Sequence, residues 1–207
     1  MNPANVVAPV DTSPKETETL SSPAIYELLR AEGQEELERP TRSLWWSGVA
    51  AGMGLFSSLL TESMMAQRLQ GVPGGDLIAE FGYSIGFLVV VFGRPQLFTE
   101  ATISAVLPVV HDLSLPRVFC AIRLWALVMA ANLVGMFVAT WATLTLAGEE
   151  IQGALVELSR AILEHPPLET FGLAIPAGFL IAAMVWMFPS TRSSRFWIVV
   201  AITFAIG

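Results

Sequence analysis

Eight consecutive residues near the middle of the chain combine helix-breaking groups with charged and hydrogen-bonding groups. The segment reads Gly93-Arg94-Pro95-Gln96-Leu97-Phe98-Thr99-Glu100. It separates two uncharged apolar runs, 13 residues at 81–93 and 11 residues at 101–111. In lipid, a broken helix leaves backbone groups unpaired, so it persists only inside protein or beside a water-filled cavity. Broken membrane helices are therefore a strong sequence indication of a site where a small solute is bound and transported.

Three structures are compatible with residues 81–111. They are a spanning helix broken at 93–100, a long tilted helix with a proline kink, and a loop between two re-entrant helices. The two charges within the segment also have two interpretations. Arg94 and Glu100 either form a structural ion pair across the loop, or they serve as a gate or substrate contact.

The rest of the chain has the composition of a membrane protein. Of its 207 residues 54% are apolar and 14% are charged, whereas about 25% are charged in a soluble domain. The mean hydropathy is +0.61. Uncharged runs at 43–61, 124–148 and 170–191 contain 19, 25 and 22 residues, and about 20 residues cross a bilayer.

These runs predict an all-α membrane protein with a transmembrane domain at 41–207. The expected spans are about 43–66, 77–111 broken at 93–100, 117–148, 168–190, and an incomplete span at 196–207. Because the last apolar run is only half a span long, we expect the chain to be a fragment of a longer protein.

The first 40 residues are acidic and hold eight of the 18 Asp and Glu residues. Residues 1–20, rich in Pro, Thr, Ser and Glu, predict a disordered tail. Ser22 and Pro23 predict the start of a helix that continues to about Glu38. Its apolar residues fall roughly on one face: Ile25, Leu28, Leu29 and Leu37. We expect 1–40 to be a tail and an amphipathic helix that rests on the membrane surface or on a neighbour.

Basic residues predict the orientation of the chain. If 81–111 crosses the membrane once, the segments on one side of the membrane hold eight Lys and Arg residues and those on the other side hold two. The positive-inside rule then places the N-terminus in the cytoplasm. This alternation favours a single crossing at 81–111, broken or kinked.

Small residues four positions apart predict close packing between helices. Four such pairs lie on four predicted spans: Gly48/Gly52, Gly82/Gly86, Ala131/Gly135 and Ala174/Gly178.

Few side chains are available for a metal site or for catalysis. The chain has one cysteine, Cys120, and two histidines, His111 and His165, which we expect to be surface or loop residues. We therefore expect no cofactor, no metal and no enzymatic activity. The net charge of −7, without any basic run, argues against nucleic-acid binding.

The segment from Phe81 to Thr99, YSIGFLVVVFGRPQLFT from Tyr83 onward, resembles the formate/nitrite transporter family. That family has an aromatic-Ser-x-Gly helix that runs into a glycine-containing loop with a Leu-Phe-Thr triplet. A second match is AGFLIAAMVWM at 177–187. The resemblance covers about residues 43–207, and the Arg-Pro-Gln loop is most similar to a less-characterised branch of the family.

The resemblance implies an aquaporin-like bundle of six spans in two inverted repeats, with the second and fifth spans broken. It implies a homopentamer in lipid, with one pore per subunit, in the bacterial inner membrane. The substrates would be small monovalent anions such as formate or nitrite, or the neutral acids. By position, five residues resemble the pore constriction and its loop: Tyr83, Phe87, Leu97, Phe98 and Thr99.

This chain departs from the family pattern at three positions. The family's central pore histidine lies in the break of the fifth span, just after residue 207. Its outer lysine before the fourth span has no counterpart here, and its fourth-span asparagine falls at Gly178. An alternative function is therefore a non-transporting membrane scaffold that acts through the acidic N-terminal segment.

Overall fold

The computed structural model describes residues 20–191 and 193–207, so the tail predicted at 1–20 lies almost wholly outside the described residues. Within the described ranges the chain is helical and contains no strand. The helices are α1 Ser22–Glu38, α2 Thr41–Arg68, α3 Gly75–Ala79, α4 Ser84–Gly93, α5 Glu100–His111, α6 Leu115–Leu146, α7 Glu149–Leu163, α8 Pro167–Met187 and α9 Arg195–Phe204. Short 3₁₀ turns at Glu80–Tyr83 and Phe188–Ser190 precede α4 and follow α8.

Four stretches of the described chain are long and apolar enough to cross a membrane. They are Thr41–Arg68, Gly75–Gly93, Leu115–Leu146 and Pro167–Ser190. The predicted all-α membrane fold is thus confirmed.

The helical stretch before the break is longer than its uncharged run. Residues 81–93 alone are too short to span a bilayer, but the helical stretch begins at Gly75 and is 19 residues long. The uncharged run is shorter because the first turns carry Asp76 and Glu80. A count of uncharged residues therefore underestimates the length of a helix whose first turns are acidic.

Helices α2 and α6 pack with their backbones in direct contact. A Cβ atom at Gly52 would overlap the carbonyl oxygen of Asn132, and one at Gly135 would overlap the carbonyl oxygen of Val49. At Gly48 a Cβ would lie 2.7 Å from the Cβ of Ala131. The close packing predicted from the small residues is confirmed for these two helices.

The other two small-residue pairs differ from each other. A Cβ at Gly82 would lie 2.6 Å from the Cα of Glu62, and one at Gly86 would overlap the hydroxyl of Ser58, so this pair packs against α2. Gly178, in contrast, has no atom of the described chain within 4 Å of the space a Cβ would take. Close packing at Ala174/Gly178 is therefore not found within the described chain.

Helix α1 is docked on α5 and α6. It buries Ile25, Leu29 and Leu37, together with Gly33, where a Cβ would overlap the carbonyl oxygen of Ser104. Of the two surfaces considered from the sequence, the membrane and a neighbour, the described chain shows α1 packed on neighbouring helices. Leu28, expected on the same face, is 46% exposed, because one residue turns a helix by about 100° and carries it off the face that holds Leu29.

Two arginines of α6 hold the C-terminal half of α1. Arg123 Nη2 donates to the carbonyl oxygens of Leu37 at 3.0 Å and Arg39 at 3.3 Å. Arg117 Nη1 donates to Gln34 Oε1 at 2.7 Å. Since the last carbonyl groups of a helix lack partners within the helix, Arg123 both caps α1 and fixes it to α6.

We predict that Gly52→Ala destabilises the protein by about 1–3 kcal/mol, the usual cost of an added methyl group that forces packed backbones apart. The matched control is Gly153→Ala in α7, where a Cβ meets open space and alanine favours the helix by up to about 1 kcal/mol. Thermal unfolding in detergent would measure both. Equal melting temperatures for the two variants would contradict the packing described for α2 and α6.

Candidate functional site

The helix at the centre of the chain is interrupted for six residues, because α4 ends at Gly93 and α5 begins at Glu100. Arg94 has φ of +55°, and its N–H donates to the carbonyl oxygen of Val90 at 2.8 Å. Pro95 disfavours helical geometry at the residue before it and has no N–H of its own. The interruption therefore follows from the Arg-Pro sequence.

The position of the two half-helices distinguishes the three predicted structures. A continuous kinked helix is excluded by the six-residue interruption. Helix α4 packs against α2 and α9, whereas α5 packs against α1, α6 and α8. Because a re-entrant hairpin would pack its two halves against each other, this arrangement favours the broken helix.

The backbone of the interruption is held by polar side chains from α2 and α6. The N–H of Gln96 donates to Ser47 Oγ at 2.9 Å, and the N–H of Phe98 donates to Asn132 Oδ1 at 2.9 Å. Asn132 Nδ2 donates to the carbonyl oxygens of Gln96 at 3.0 Å and Gly48 at 2.8 Å. Three of these bonds satisfy backbone groups that the missing helical turns leave without partners, and the fourth ties Asn132 to α2.

Asn132 is a site residue that sequence reasoning missed. The sequence does indicate this residue, because Asn132 is the only amide side chain in the uncharged run 124–148. A polar side chain within a membrane helix is costly unless it has partners, and it therefore marks a structural or functional site. Ser47 offered no comparable signal, since serine is common in membrane helices.

An apolar cluster lies on one side of the interruption. Its buried members are Ala51, Phe87, Val90, Val91, Leu97, Ile181, Met184 and Val199, and we call it the central cluster. Phe87 is 4% exposed and Leu97 is 2% exposed. Tyr83 packs at the edge, with its ring centroid 5.3 Å from that of Phe87. Three of the five predicted constriction residues are thus brought together.

The other two predicted residues lie elsewhere. Phe98 packs against a second cluster that includes Leu44 and Leu124, on α2 and α6. Thr99 is exposed, and its carbonyl oxygen accepts a hydrogen bond from Thr102 Oγ1 at 2.7 Å. Adjacent residues of a non-helical segment point in different directions, so Leu97 and Phe98 do not face the same cluster.

Buried hydroxyl groups join the helices around the central cluster. Thr203 Oγ1 of α9 lies 2.8 Å from Ser84 Oγ of α4, and both residues are buried. Ser58 Oγ of α2 accepts the N–H of Gly86 at 3.0 Å and donates to the carbonyl oxygen of Tyr83. These bonds fix α4 between α2 and α9.

A cavity of about 1040 Å³, which we call the vestibule, lies next to the interruption and is walled by α1, Arg94 to Leu97, and the junction of α8 and α9. Its charged lining residues are Glu32, Glu35, Glu36, Arg39, Arg94, Glu100 and Arg195. Among the ion pairs of the described residues, none joins Arg94 to Glu100. The ion pair considered from the sequence is therefore not formed.

Glu36 carries a perturbed carboxyl group on the α1 wall of the vestibule. Burial raises its pKa above the ordinary 4.5, and hydrogen bonds from Gln96 and Ser104 offset only part of this effect. Ser104 Oγ donates to Glu36 Oε2 at 3.0 Å. Arg39 Nη1 in turn donates to Gln96 Oε1 at 2.9 Å, so the end of α1 and the interruption share one polar network.

The histidines take no part in this site. His111 and His165 are both exposed, His111 at the end of α5 and His165 between α7 and α8, where Glu169 Oε1 lies 3.5 Å from His165 Nδ1.

We predict that Glu36→Gln stabilises the protein near pH 8, by about 2–4 °C in Tm for a gain of 1 kcal/mol. The folded-state pKa is raised, so the stability that protonated Glu36 contributes is complete below 4.5 and lost as pH rises through the folded value. The gain of the glutamine variant should therefore disappear as the pH is lowered toward 4.5. Glu35→Gln, at an exposed position of the same helix, is the control, and an equal gain there would contradict the assignment.

We predict that Asn132→Leu exposes the interruption. The substitution leaves the Phe98 N–H and the carbonyl oxygen of Gln96 without a partner, each at about 1–3 kcal/mol. Hydrogen exchange at the amides of 96–98 should become faster, and the Tm should fall. Thr145→Val is the control, because that hydroxyl bonds only to carbonyl oxygens of its own helix. Unchanged exchange in the asparagine variant would contradict this role.

Comparison with known proteins agrees with this architecture. Residues 23–207 match the family model described as formate/nitrite transporter. The chain is 40% identical over 186 residues to the inner membrane protein YfdC of Escherichia coli (strain K12), and this match covers 89% of this chain and 60% of that protein. It is 28% identical over 159 residues to the formate channel FocA of Haemophilus influenzae, and this match covers 72% of this chain and 54% of that protein. The chain thus spans less than two thirds of the length of these relatives.

The fold is shared with a solved structure. A pentameric formate channel with formate bound superposes with a TM-score of 0.65 at 19% identity, over 80% of this chain and 68% of that one. The resemblance inferred from the residues at 81–99 is confirmed by the family match. By its sequence match from residue 23 to residue 207, the chain belongs to the formate/nitrite transporter family.

Proposed function

We propose that the protein to which this chain belongs carries small monovalent anions, such as formate or nitrite, or their neutral acids, across the bacterial inner membrane. The observation that carries the proposal is the burial of Leu97 together with Phe87 in the central cluster, at a helix break that opens on the vestibule. The family and the names of its two relatives, an inner membrane protein and a formate channel, support it.

An apolar constriction has a physical consequence for selectivity. Hydrated ions lose their water only at a high cost in free energy, so a narrow collar formed by Phe87, Leu97 and Tyr83 would exclude most of them. A small anion needs hydrogen-bond donors, and the exposed Thr99 at the start of α5 can supply one. The N-terminus of α5 adds a favourable dipole for negative charge.

The proposed assembly is a homopentamer with one pore per subunit. The fold neighbour is described as pentameric. The outer faces of α6 and α8 carry large exposed apolar side chains, such as Phe137 at 70% and Phe179 at 72%, that lipid and neighbouring subunits would cover. We further propose that residues 41–207 lie in the membrane and that α1 lies on the cytoplasmic side, as the basic residues indicate.

We predict that Phe87→Ala raises formate leak several-fold, because loss of the ring widens the collar. The measurement is flux of formate, nitrite and acetate through the natural-length protein in liposomes, against empty liposomes. Phe137→Ala, which removes an exposed ring of the same size, is the control. A folded Phe87→Ala variant with unchanged flux would argue against the collar. No flux of any anion through the unmodified protein would favour the scaffold function instead.

A further inference from the structure

One carboxyl group in the vestibule wall has a buried oxygen atom that no hydrogen bond of the described residues explains. Glu100 is the first residue of α5 and lines the vestibule three positions after Leu97. Its Oε1 atom is buried and has no hydrogen-bond partner among the described residues. A buried charged oxygen without a partner is costly, so this position is suited to a group that gains and loses a proton or contacts a ligand.

The charges that act on Glu100 come from two other elements. The carboxylate of Glu36 on α1 repels a negative charge there, and the guanidinium of Arg195 on α9 attracts it. Arg195 Nη2 also donates to the carbonyl oxygen of Phe188 at 3.1 Å. Within the described chain, α6 and α8 pack against α5 and add no charge that acts on Glu100.

Four carboxylates in the vestibule are unexpected at the entrance of an anion pathway. Glu32, Glu35, Glu36 and Glu100 line it together with three arginines. Glu32 and Glu35 are exposed, so water screens their charges. Glu100 is different because its Oε1 atom is buried and it shares the vestibule lining with Leu97 of the collar. There an ionised carboxylate would repel an approaching anion, and a protonated one would donate a hydrogen bond to it.

We propose that Glu100 is the proton-exchanging group between the vestibule and the collar, an inference that rests on the proposed function. The Glu100 carboxyl transfers its proton to a carboxylate oxygen of the anion, so one O–H bond breaks at Glu100 and one forms on the substrate. The neutral acid passes Leu97 and Phe87, and the Glu100 carboxylate takes a proton from the water of the vestibule. Transport in the opposite direction reverses these steps.

The test uses the natural-length protein in liposomes, with labelled formate outside and a pH-sensitive dye inside. In the unmodified protein, formate uptake should be accompanied by one proton per formate. Glu100→Gln should lower uptake by about tenfold or more and remove its dependence on external pH, whereas Glu100→Asp should keep both. Glu150→Gln, at an exposed acid of α7 that does not line the vestibule, should behave as the unmodified protein.

The readouts separate proton exchange from a structural role. An acidic residue in the first turn of a helix stabilises that helix through its dipole. If this is its whole role, Glu100→Gln will lower Tm but leave the number of protons per formate and the pH profile unchanged, which overturns the proposal. Uptake by Glu100→Gln at the unmodified rate and pH profile also overturns it. Absence of formate uptake by the unmodified protein would instead refute the proposed function, and this inference with it.

Discussion

A backbone that leaves its helical path inside a membrane protein must find new hydrogen-bond partners, and the site depends on how this chain provides them. The interruption at 94–99 places several N–H and carbonyl groups where lipid offers no partner. Asn132 satisfies two of them with one amide, which also donates to the carbonyl oxygen of Gly48 on α2, and Ser47 satisfies a third. Without these side chains, Leu97 would have no fixed position against Phe87.

The close packing of α2 and α6 is a condition for this network. Asn132 reaches the carbonyl oxygen of Gly48 on α2 while it holds the interruption. That geometry needs the two backbones in contact, and Gly52 and Gly135 permit it because neither has a Cβ. The small-residue pairs and the polar network therefore depend on each other. The glycines allow the two backbones to come into contact, and this contact lets Asn132 bond to α2 and to the interruption at once.

The sequence predicts those features that have a local physical cause. Gly93 and Pro95 predict the interruption, long uncharged runs predict the spanning helices, and Ser22 with Pro23 predicts the start of α1 at its observed position. Features that depend on the meeting of distant elements were not predictable. The separation of Phe98 from Phe87 depends on which side of the loop faces α6.

The interaction of Glu100 with Glu36 and Arg195 depends in the same way on the docking of α1 and α9. A pattern of residues along the chain cannot specify these neighbours, because each is set by packing between segments far apart in sequence. The proximity of Arg94 and Glu100 in the sequence suggested an ion pair. The backbone is left-handed at Arg94 and becomes helical at Glu100, and the two side chains do not pair.

The position of α1 bears on the two functions considered from the sequence. A scaffold that acts through its acidic segment would need that segment free for an external partner. Helix α1 instead packs its apolar face against α5. Its C-terminal carbonyl groups accept hydrogen bonds from Arg123, and Arg39, which follows it, donates to Gln96 of the interruption. Its acidic residues Glu32, Glu35 and Glu36 line the vestibule. The segment from 22 to 39 is therefore built into the wall of the cavity beside the central cluster, which favours a role in the passage of a solute over a separate docking role.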